Sequence, residues 1–296
     1  MYINMQEYLD IIDFCNSRFH GRNGCQNCQF GNYCQNCAQG NPNDCYCCIK
    51  RIHSFGNHTI HYQCEQMTYN YLVKHINRYA SEVVRGINLL NDHFDDINAC
   101  SIGCGPAPEL YAIKAYYRNR GLSEEHIRFK GFDIQQNNIW NPIWDKTHEL
   151  FGDTVYFFNQ DVFDYYLHND ERVNLVVLNY MISDMIKFNR RGHLQFLDRL
   201  KDFLGRQSEA IVILNDVFSI DVYNAFQQIY HTFPFSNRFI VEEIKCRYFA
   251  DMNHGLVFGG KHHFNRLVFQ SSPLESRFDP FRECKSIQLL IKIRQR

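Results

Sequence analysis

The chain has 296 residues, of which 45% are hydrophobic and 21% charged, and its formal net charge is −1. These proportions are typical of folded globular proteins and exclude wholesale disorder and a fibrous repeat. The balanced charge gives no general attraction for polyanions. No segment approaches the roughly 18 apolar residues of a membrane span, and the acidic start is unlike a signal peptide. We therefore predict a soluble protein of the cytoplasm or another reducing compartment, with no membrane partner.

Cysteines are concentrated near the N-terminus, where the first 64 residues hold nine of the 13. In a reducing compartment, clustered thiols more often bind metal than form disulfides. Two Cys-x2-Cys pairs supply thiolates at the spacing that zinc uses. The candidate ligands are Cys25, Cys28, Cys34, Cys37, Cys45, Cys47, Cys48, His53, His61 and Cys64. We predict that residues 1–64 form a module with one or two Zn²⁺ ions, and an iron–sulfur cluster is the alternative that spacing leaves open.

From residue 66 onward the sequence alternates between helical and strand patterns, which we assign to one domain at 65–296. Apolar residues at three- and four-residue steps predict a helix at 66–91. A short apolar strand, a glycine turn and a helix follow between residues 95 and 121. Further strands are predicted at 128–134, 155–158, 173–180 and 210–215, and helices at 190–205 and 221–231. This alternation predicts an α/β fold with a parallel sheet that helices cover.

Two late strands, at 239–249 and 265–270, follow each other without a helix between them. Two parallel strands would need a crossover connection, so we predict that these two form an antiparallel hairpin.

The loop after the first strand carries Gly103 and Gly105, which let the backbone turn sharply and approach a ligand closely. Pro108 stands where a dinucleotide fingerprint requires glycine, which disfavours a pyrophosphate site. In open parallel sheets, ligands bind at the carboxyl ends of the strands. Four polar side chains occupy such ends of the next three strands: Asp133, Asp161, Asn179 and Tyr180.

With these residues in register, the sequence over about 66–270 resembles the class I S-adenosylmethionine-dependent methyltransferases. The resemblance implies a Rossmann-like, mostly parallel seven-stranded sheet that ends in an antiparallel hairpin. It places Gly103, Cys104 and Gly105 beside the methionine part of S-adenosylmethionine, Asp133 at the ribose, Asp161 and Val162 at the adenine, and Asn179 at the methyl-transfer site. Two positions depart from the family pattern, since Ser101 replaces its usual acid and Ala107 its third glycine.

The resemblance implies methyl transfer, for which we select Tyr180 and Asp184 as candidates for substrate alignment and proton acceptance. His254, His262 and His263 form a second group of candidate bases. A metal-held module ahead of the domain favours a macromolecular substrate, and local basic residues in that module and near the C-terminus favour RNA, ribosomal or transfer. A protein substrate is one alternative. A non-catalytic, cofactor-binding factor of RNA or ribosome assembly is the other, because Ser101 replaces an acid.

Overall fold

The structure is a computed structural model that describes residues 3–19, 65–89, 95–135, 138–188, 190–249, 259–261, 266–269, 278 and 280–296. All ten predicted metal ligands lie outside these ranges, so the metal module stays a prediction. The same holds for His254, His262 and His263. Within the described ranges, no group of three His, Cys, Asp or Glu side chains is arranged to bind a metal ion. None of the described helices is long and apolar enough to cross a membrane.

Helices and strands alternate along most of the described chain. The helices are α1 (Gln6–Arg18), α2 (Glu65–Leu89), α3 (Pro108–Arg120), α4 (Asn141–Phe151), α5 (Val162–His168), α6 (Ile182–Phe188), α7 (Arg190–Leu204) and α8 (Ile220–Thr232). The strands are β1 (Ile97–Ile102), β2 (Ile127–Phe132), β3 (Val155–Phe158), β4 (Leu175–Asn179), β5 (Glu209–Val217), β6 (Phe239–Tyr248), β7 (Gly260–Lys261) and β8 (Ser286–Gln295). Short 3-10 helices occupy Glu124–His126, Gly152–Thr154 and Phe233–Phe235.

The described strands form one sheet in the order β3-β2-β1-β4-β5-β8-β6-β7. Strands β1 to β5 pair in parallel, whereas β8 is antiparallel to both β5 and β6. Asn179 at the end of β4 pairs with Asn215 of β5, and Leu178 pairs with Ile102 at the end of β1. The carboxyl ends of β1, β4 and β5 therefore meet at one edge. The predicted α/β class and mostly parallel sheet are confirmed.

Two hydrophobic cores lie on the two faces of this sheet. Successive strand side chains point to opposite faces, so Val177 and Ile213 pack with α1 to α4. Their neighbours Val176 and Val212 pack with α5 to α8. Because both faces are covered, the central strands consist of nearly continuous apolar residues. The fold is therefore a sheet between two helical layers.

The predicted terminal hairpin is correct in its antiparallel pairing but wrong in its second strand. The partner of β6 is β8, at 286–295, and within 266–269 only single bridges form, from Arg266 to Glu283 and from Phe269 to Ile3. β8 takes this place because most of its side chains are buried between the two helical layers. The described sheet also has eight strands rather than seven, because the two-residue β7 adds to the edge beside β6.

Of the four basic residues near the C-terminus that the sequence assigned to a local RNA-binding surface, Lys292 and Arg294 belong to β8, while Lys285 and Arg296 flank it. The Lys292 ammonium group lies 3.3 Å from a carboxylate oxygen of Glu209, and Arg294 Nε lies 2.8 Å from Glu242. Exposed pairs of this kind typically contribute about 0–1 kcal/mol to stability. Both cations are thus already paired with carboxylates of neighbouring strands.

Helix α1 belongs to the same core as the sheet, although the sequence assigned residues 1–64 to a separate module. Its buried face comprises Tyr8, Ile11, Ile12 and Cys15, which pack in the core that contains α2. The Gln66 side-chain amide donates a hydrogen bond to the carbonyl of Arg18 at 3.1 Å. Residues 20–64 lie outside the described ranges, so the extent of the metal module stays a prediction.

Candidate functional site

The loop after β1 has a left-handed backbone at three of its residues. Gly103 has φ of +67°, Gly105 of +48° and Ala107 of +54°. A Cβ atom on Gly103 would lie 2.7 Å from the sulfur of Met181, a distance that real contacts do not reach. The backbone angle and the nearby Met181 side chain therefore both favour glycine at position 103. Ala107 is the N-cap residue of α3, and Pro108 lies in the first turn of that helix.

Three hydrogen bonds fix this loop against the neighbouring strand and helix. The Cys104 amide donates to the carbonyl of Phe132 at 3.0 Å, and the Gly105 amide donates to Asp133 Oδ2 at 2.8 Å. The Trp144 indole Nε1 donates to the Gly105 carbonyl at 2.7 Å. The Cys104 side chain is buried in the core, and burial raises the pKa of its thiol well above the usual range. The loop is thus held in place before any ligand arrives.

Asp133 lies immediately after β2, beside the glycine loop, as the sequence predicts. Its Oδ2 atom holds the Gly105 amide, and no described residue donates a hydrogen bond to its Oδ1 atom. Burial raises the pKa of Asp133 to about 6, and the Gly105 hydrogen bond partly opposes that rise. A carboxylate with one oxygen available can accept hydrogen bonds from ligand hydroxyls.

Asp161 and Val162 have structural roles at the start of α5. Asp161 is the N-cap residue, and its Oδ1 accepts the Phe163 amide at 2.8 Å. The Arg199 guanidinium group donates to both carboxylate oxygens of Asp161, at 2.8 and 3.2 Å. Val162 packs in the core beneath α5 to α8. The contact of this pair with an adenine ring stays a prediction.

A buried hydrogen-bond network connects the ends of β4 and β5 to helix α2. Its centre is the fully buried Glu82, whose carboxylate accepts from the Tyr180 hydroxyl at 2.9 Å, Asn215 Nδ2 at 2.9 Å and the Lys285 amide at 2.8 Å. Asn215 Nδ2 also donates to Asn179 Oδ1 at 2.8 Å. Burial raises the pKa of Glu82, and these donors oppose the rise. The network therefore fixes the positions of Asn179 and Tyr180.

Tyr180 has a strained backbone with φ of +57°, which is rare for a bulky residue. Its amide donates to the carbonyl of Asn215 at 2.7 Å, and its ring stacks on Tyr79 with centroids 3.8 Å apart. Burial and the neighbouring Glu82 carboxylate raise the pKa of the Tyr180 phenol well above its usual value. Such a phenol keeps its proton near neutral pH, so Tyr180 is better suited to alignment than to proton acceptance.

A cavity of about 530 Å³ lies at the carboxyl ends of β4 and β5, and Asp184 lines it. Five aromatic rings also line it: Tyr71, His75, Tyr79, Tyr180 and Phe281. Burial and the nearby carboxylate of Asp216 raise the pKa of Asp184 to about 7. A group with a pKa near the working pH exchanges protons most effectively. Of the two predicted catalytic residues, Asp184 is therefore the better proton acceptor.

Four residues at this edge were absent from the predicted site: Glu82, Glu109, Asn215 and Asp216. The last two end β5, so the rule that selected Asn179 at the end of β4 also selects them. Glu109 lies in the first turn of α3, where an acid is common for helix stability alone. Glu82 has no sequence signal, because the apolar pattern of α2 does not show which polar positions are also buried.

Comparisons with known proteins give distant structural likenesses only. The sequence matches no protein-family model and no curated protein. A protein from Listeria monocytogenes assigned to the class I S-adenosylmethionine-dependent methyltransferases is 10% identical, with a TM-score of 0.46 over 98% of this chain and 88% of that one. Precorrin-6y C5,15-methyltransferase from Geobacter metallireducens is 11% identical, with a TM-score of 0.42 over 73% and 87% of the chains. A SAM-dependent methyltransferase from Aquifex aeolicus is 10% identical, with a TM-score of 0.41 over 76% and 97%.

At such low identities these likenesses do not identify the chain. The function proposed next depends on the topology and the site of this protein.

Proposed function

We propose that this protein is an S-adenosylmethionine-dependent methyltransferase. The observation that carries the proposal is the junction of β1 and β2, where the left-handed loop at Gly103 and Gly105 is hydrogen-bonded to Asp133. Strand β8 lies between β5 and β6 and is antiparallel to both. The antiparallel pair of β6 and β8 agrees with the terminal antiparallel hairpin that the sequence resemblance implies.

S-adenosylmethionine, when bound, supplies a methyl group on a sulfonium, whose leaving group is already good. The protein then has to align an acceptor and remove its proton. The glycine loop exposes backbone beside the bound molecule, and Asp133 Oδ1 accepts hydrogen bonds from ribose hydroxyls. Asp184 takes the proton of the acceptor, and the rigidly held Tyr180 borders the acceptor's position.

We propose a macromolecular acceptor, with RNA first. The aromatic walls of the cavity at β4 and β5 suit an unstacked base, because RNA-binding proteins commonly stack such bases on aromatic side chains. Arg78 and Lys187 also line this cavity and bring positive charge that suits a phosphate group. The predicted zinc module at 1–64 would position this substrate and take no part in methyl transfer, since displacement at a sulfonium needs no Lewis acid.

Calorimetry should show that the wild-type protein binds S-adenosylmethionine and S-adenosylhomocysteine, and that Asp133→Ala weakens both by about 1–3 kcal/mol. The loss arises because the ribose hydroxyls have no acceptor and the Gly105 amide loses its partner. Asp153→Ala is the matched control, because the Asp153 side chain is fully exposed in the 3-10 helix ahead of β3. This control should bind as tightly as the wild type. Absence of wild-type binding at millimolar ligand would contradict the proposed function.

A methylation assay with labelled cofactor on total RNA and total protein then tests the acceptor. Label in RNA supports the RNA proposal, and label in protein replaces it with a protein acceptor. Cofactor binding with no label in either pool would favour the non-catalytic assembly factor.

A further inference from the structure

Asp216 binds the start of helix α6 from the neighbouring strand. It is fully buried near the end of β5, and its Oδ2 atom accepts a hydrogen bond from the Ser183 amide at 2.8 Å. Its Oδ1 atom accepts the Val217 amide at 2.7 Å. Ser183 lies in the first turn of α6, where backbone amides have no partner inside the helix. The Asp216 carboxylate therefore stabilises this end of the helix by a hydrogen bond and by its charge.

Helix α6 forms one wall of the cavity at the ends of β4 and β5. It contributes four residues to the lining: Ser183, Asp184, Ile186 and Lys187. The helix has seven residues, and one so short is not stable in water on its own. Its position therefore depends on contacts with the sheet, of which the core residue Ile182 supplies the apolar part and Asp216 a polar part. These contacts determine where the carboxyl group of Asp184 lies.

Asp216 also acts on Asp184 through its charge. Burial is the largest cause of the raised pKa of Asp184, the Asp216 carboxylate adds to the rise, and Lys187 opposes it. The pKa of Asp216 is about 6 and that of Asp184 about 7, so Asp216 ionises first and Asp184 keeps its proton to higher pH. The other titratable and charged groups that line the cavity are Tyr71, His75, Arg78 and Tyr79 on α2, Tyr180 after β4, and Asp221 on α8.

We infer that Asp216 is a positioning residue for the proposed methyl transfer, because it fixes α6 and thereby the carboxyl group of Asp184 at the cavity. The inference rests on the proposed function. In that reaction the acceptor forms a bond to the methyl carbon as the carbon–sulfur bond breaks, and the proton of the acceptor passes to the ionised carboxylate of Asp184. Asp216 itself is fully buried and does not line the cavity, so it acts on the reaction through Asp184 and α6.

Two substitutions separate the hydrogen bond of Asp216 from its charge. Asp216→Asn keeps an oxygen that can accept from the Ser183 amide and removes the charge, whereas Asp216→Ala removes both. Above pH 6, asparagine also avoids the cost of a buried charge, so Asp216→Asn should be folded where the measurements are made. Circular dichroism of both variants checks that they are folded.

Carbon-13 NMR of the aspartate carboxyl groups in the full-length protein measures the pKa of Asp184 directly, with Asp184→Asn to assign its resonance. In Asp216→Asn this pKa should fall by about 1 from its value near 7, because the repulsion is removed while the burial remains. Asp221→Asn is the matched control, since it removes a carboxylate from an exposed position at the same cavity. It should change the pKa of Asp184 by less than about 0.3, because solvent screens exposed charges. An unchanged pKa of Asp184 in folded Asp216→Asn overturns the inference.

The rate of methylation of total RNA with labelled S-adenosylmethionine, measured between about pH 5.5 and 9, tests the effect on the reaction. Total protein replaces RNA if the label appears there. The wild-type rate should rise through about pH 7 as Asp184 loses its proton, and the rate of Asp216→Asn should rise about one pH unit lower. Asp216→Ala should reach a maximal rate roughly 10-fold or more below that of the wild type, because its proton acceptor is misplaced, and should bind S-adenosylhomocysteine within about twofold of it.

The outcomes distinguish the inference from the proposed function. Identical pH profiles for wild type and Asp216→Asn, or a wild-type maximal rate for Asp216→Ala, overturn the positioning role while the proposed function stands. A wild type that labels neither RNA nor protein overturns both the positioning role and the proposed methyl transfer.

Discussion

Replacement of Glu82 by alanine is expected to lower the free energy of unfolding by about 3–5 kcal/mol, since each buried polar group left without a partner costs about 1–3 kcal/mol. Three donors would lose their acceptor: the Tyr180 hydroxyl, the Asn215 amide and the backbone amide of Lys285. These donors come from three different parts of the chain, so the loss would loosen the contact of α2 with β4, β5 and the start of β8.

Urea unfolding of the Glu82→Ala and Glu82→Gln variants distinguishes the contribution of the Glu82 hydrogen bonds to the free energy of unfolding from the contribution of its charge. Glutamine keeps the volume and one acceptor oxygen, so we expect this variant to lose clearly less stability than alanine does. If Glu82→Ala lowers the free energy of unfolding by less than about 1 kcal/mol, the network contributes little to stability, because a single ordinary hydrogen bond contributes about that much.

Stability should fall as pH rises through about 6, and Asp216 should be a main cause. This side chain is fully buried at the end of β5, and burial raises its pKa from 3.8 to about 6, although the Ser183 and Val217 amides oppose the rise. A carboxyl group with a raised pKa binds its proton more tightly in the folded state. Its contribution is therefore complete below pH 3.8 and is lost as pH rises through about 6, which amounts to about 3 kcal/mol.

The measurement is the free energy of unfolding of wild type and Asp216→Asn between pH 4.5 and 8. The difference between the two proteins should change by about 2 kcal/mol over this interval, because asparagine does not titrate and part of the contribution is gained only below pH 4.5. Asp198→Asn serves as the control, since the Asp198 side chain is largely exposed and should leave the pH profile unchanged. An identical pH profile for Asp216→Asn and wild type would contradict the assignment.

The elements with strong periodic patterns were the ones that the sequence predicted well. Helix α2 differs by one or two residues at each end from the prediction at 66–91, and β3 coincides with 155–158. The sequence also predicted that Gly105 and Asp133 lie close together, because adjacent parallel strands end at the same edge of the sheet. In these cases the local sequence pattern and the topology of a parallel sheet are sufficient to predict the structure.

The missed features depend on contacts between distant parts of the chain. β8 resembles a basic tail in sequence, and only its place between β5 and β6 shows that Leu289 and Leu290 are core residues. The Glu82 network joins residues 36 to 203 positions apart, so no local spacing indicates it. Glu109 likewise becomes informative only when its partner Ser101 is seen beside it.

The hydrogen bond from Gln66 to Arg18 means that the end of α1 and the start of α2, which flank residues 20–64 in the sequence, lie next to each other. This segment joins two helices that contact each other, so bringing its two ends together costs loop-closure entropy, which rises by about 0.6 kcal/mol for each doubling of loop length. Removing everything before residue 65 would instead strip α1 from the core and expose the apolar surface that Ile11 and Ile12 cover. Replacing residues 20–64 with a short flexible linker from Phe19 to Glu65 would therefore remove the cysteine-rich segment and keep α1 in the core.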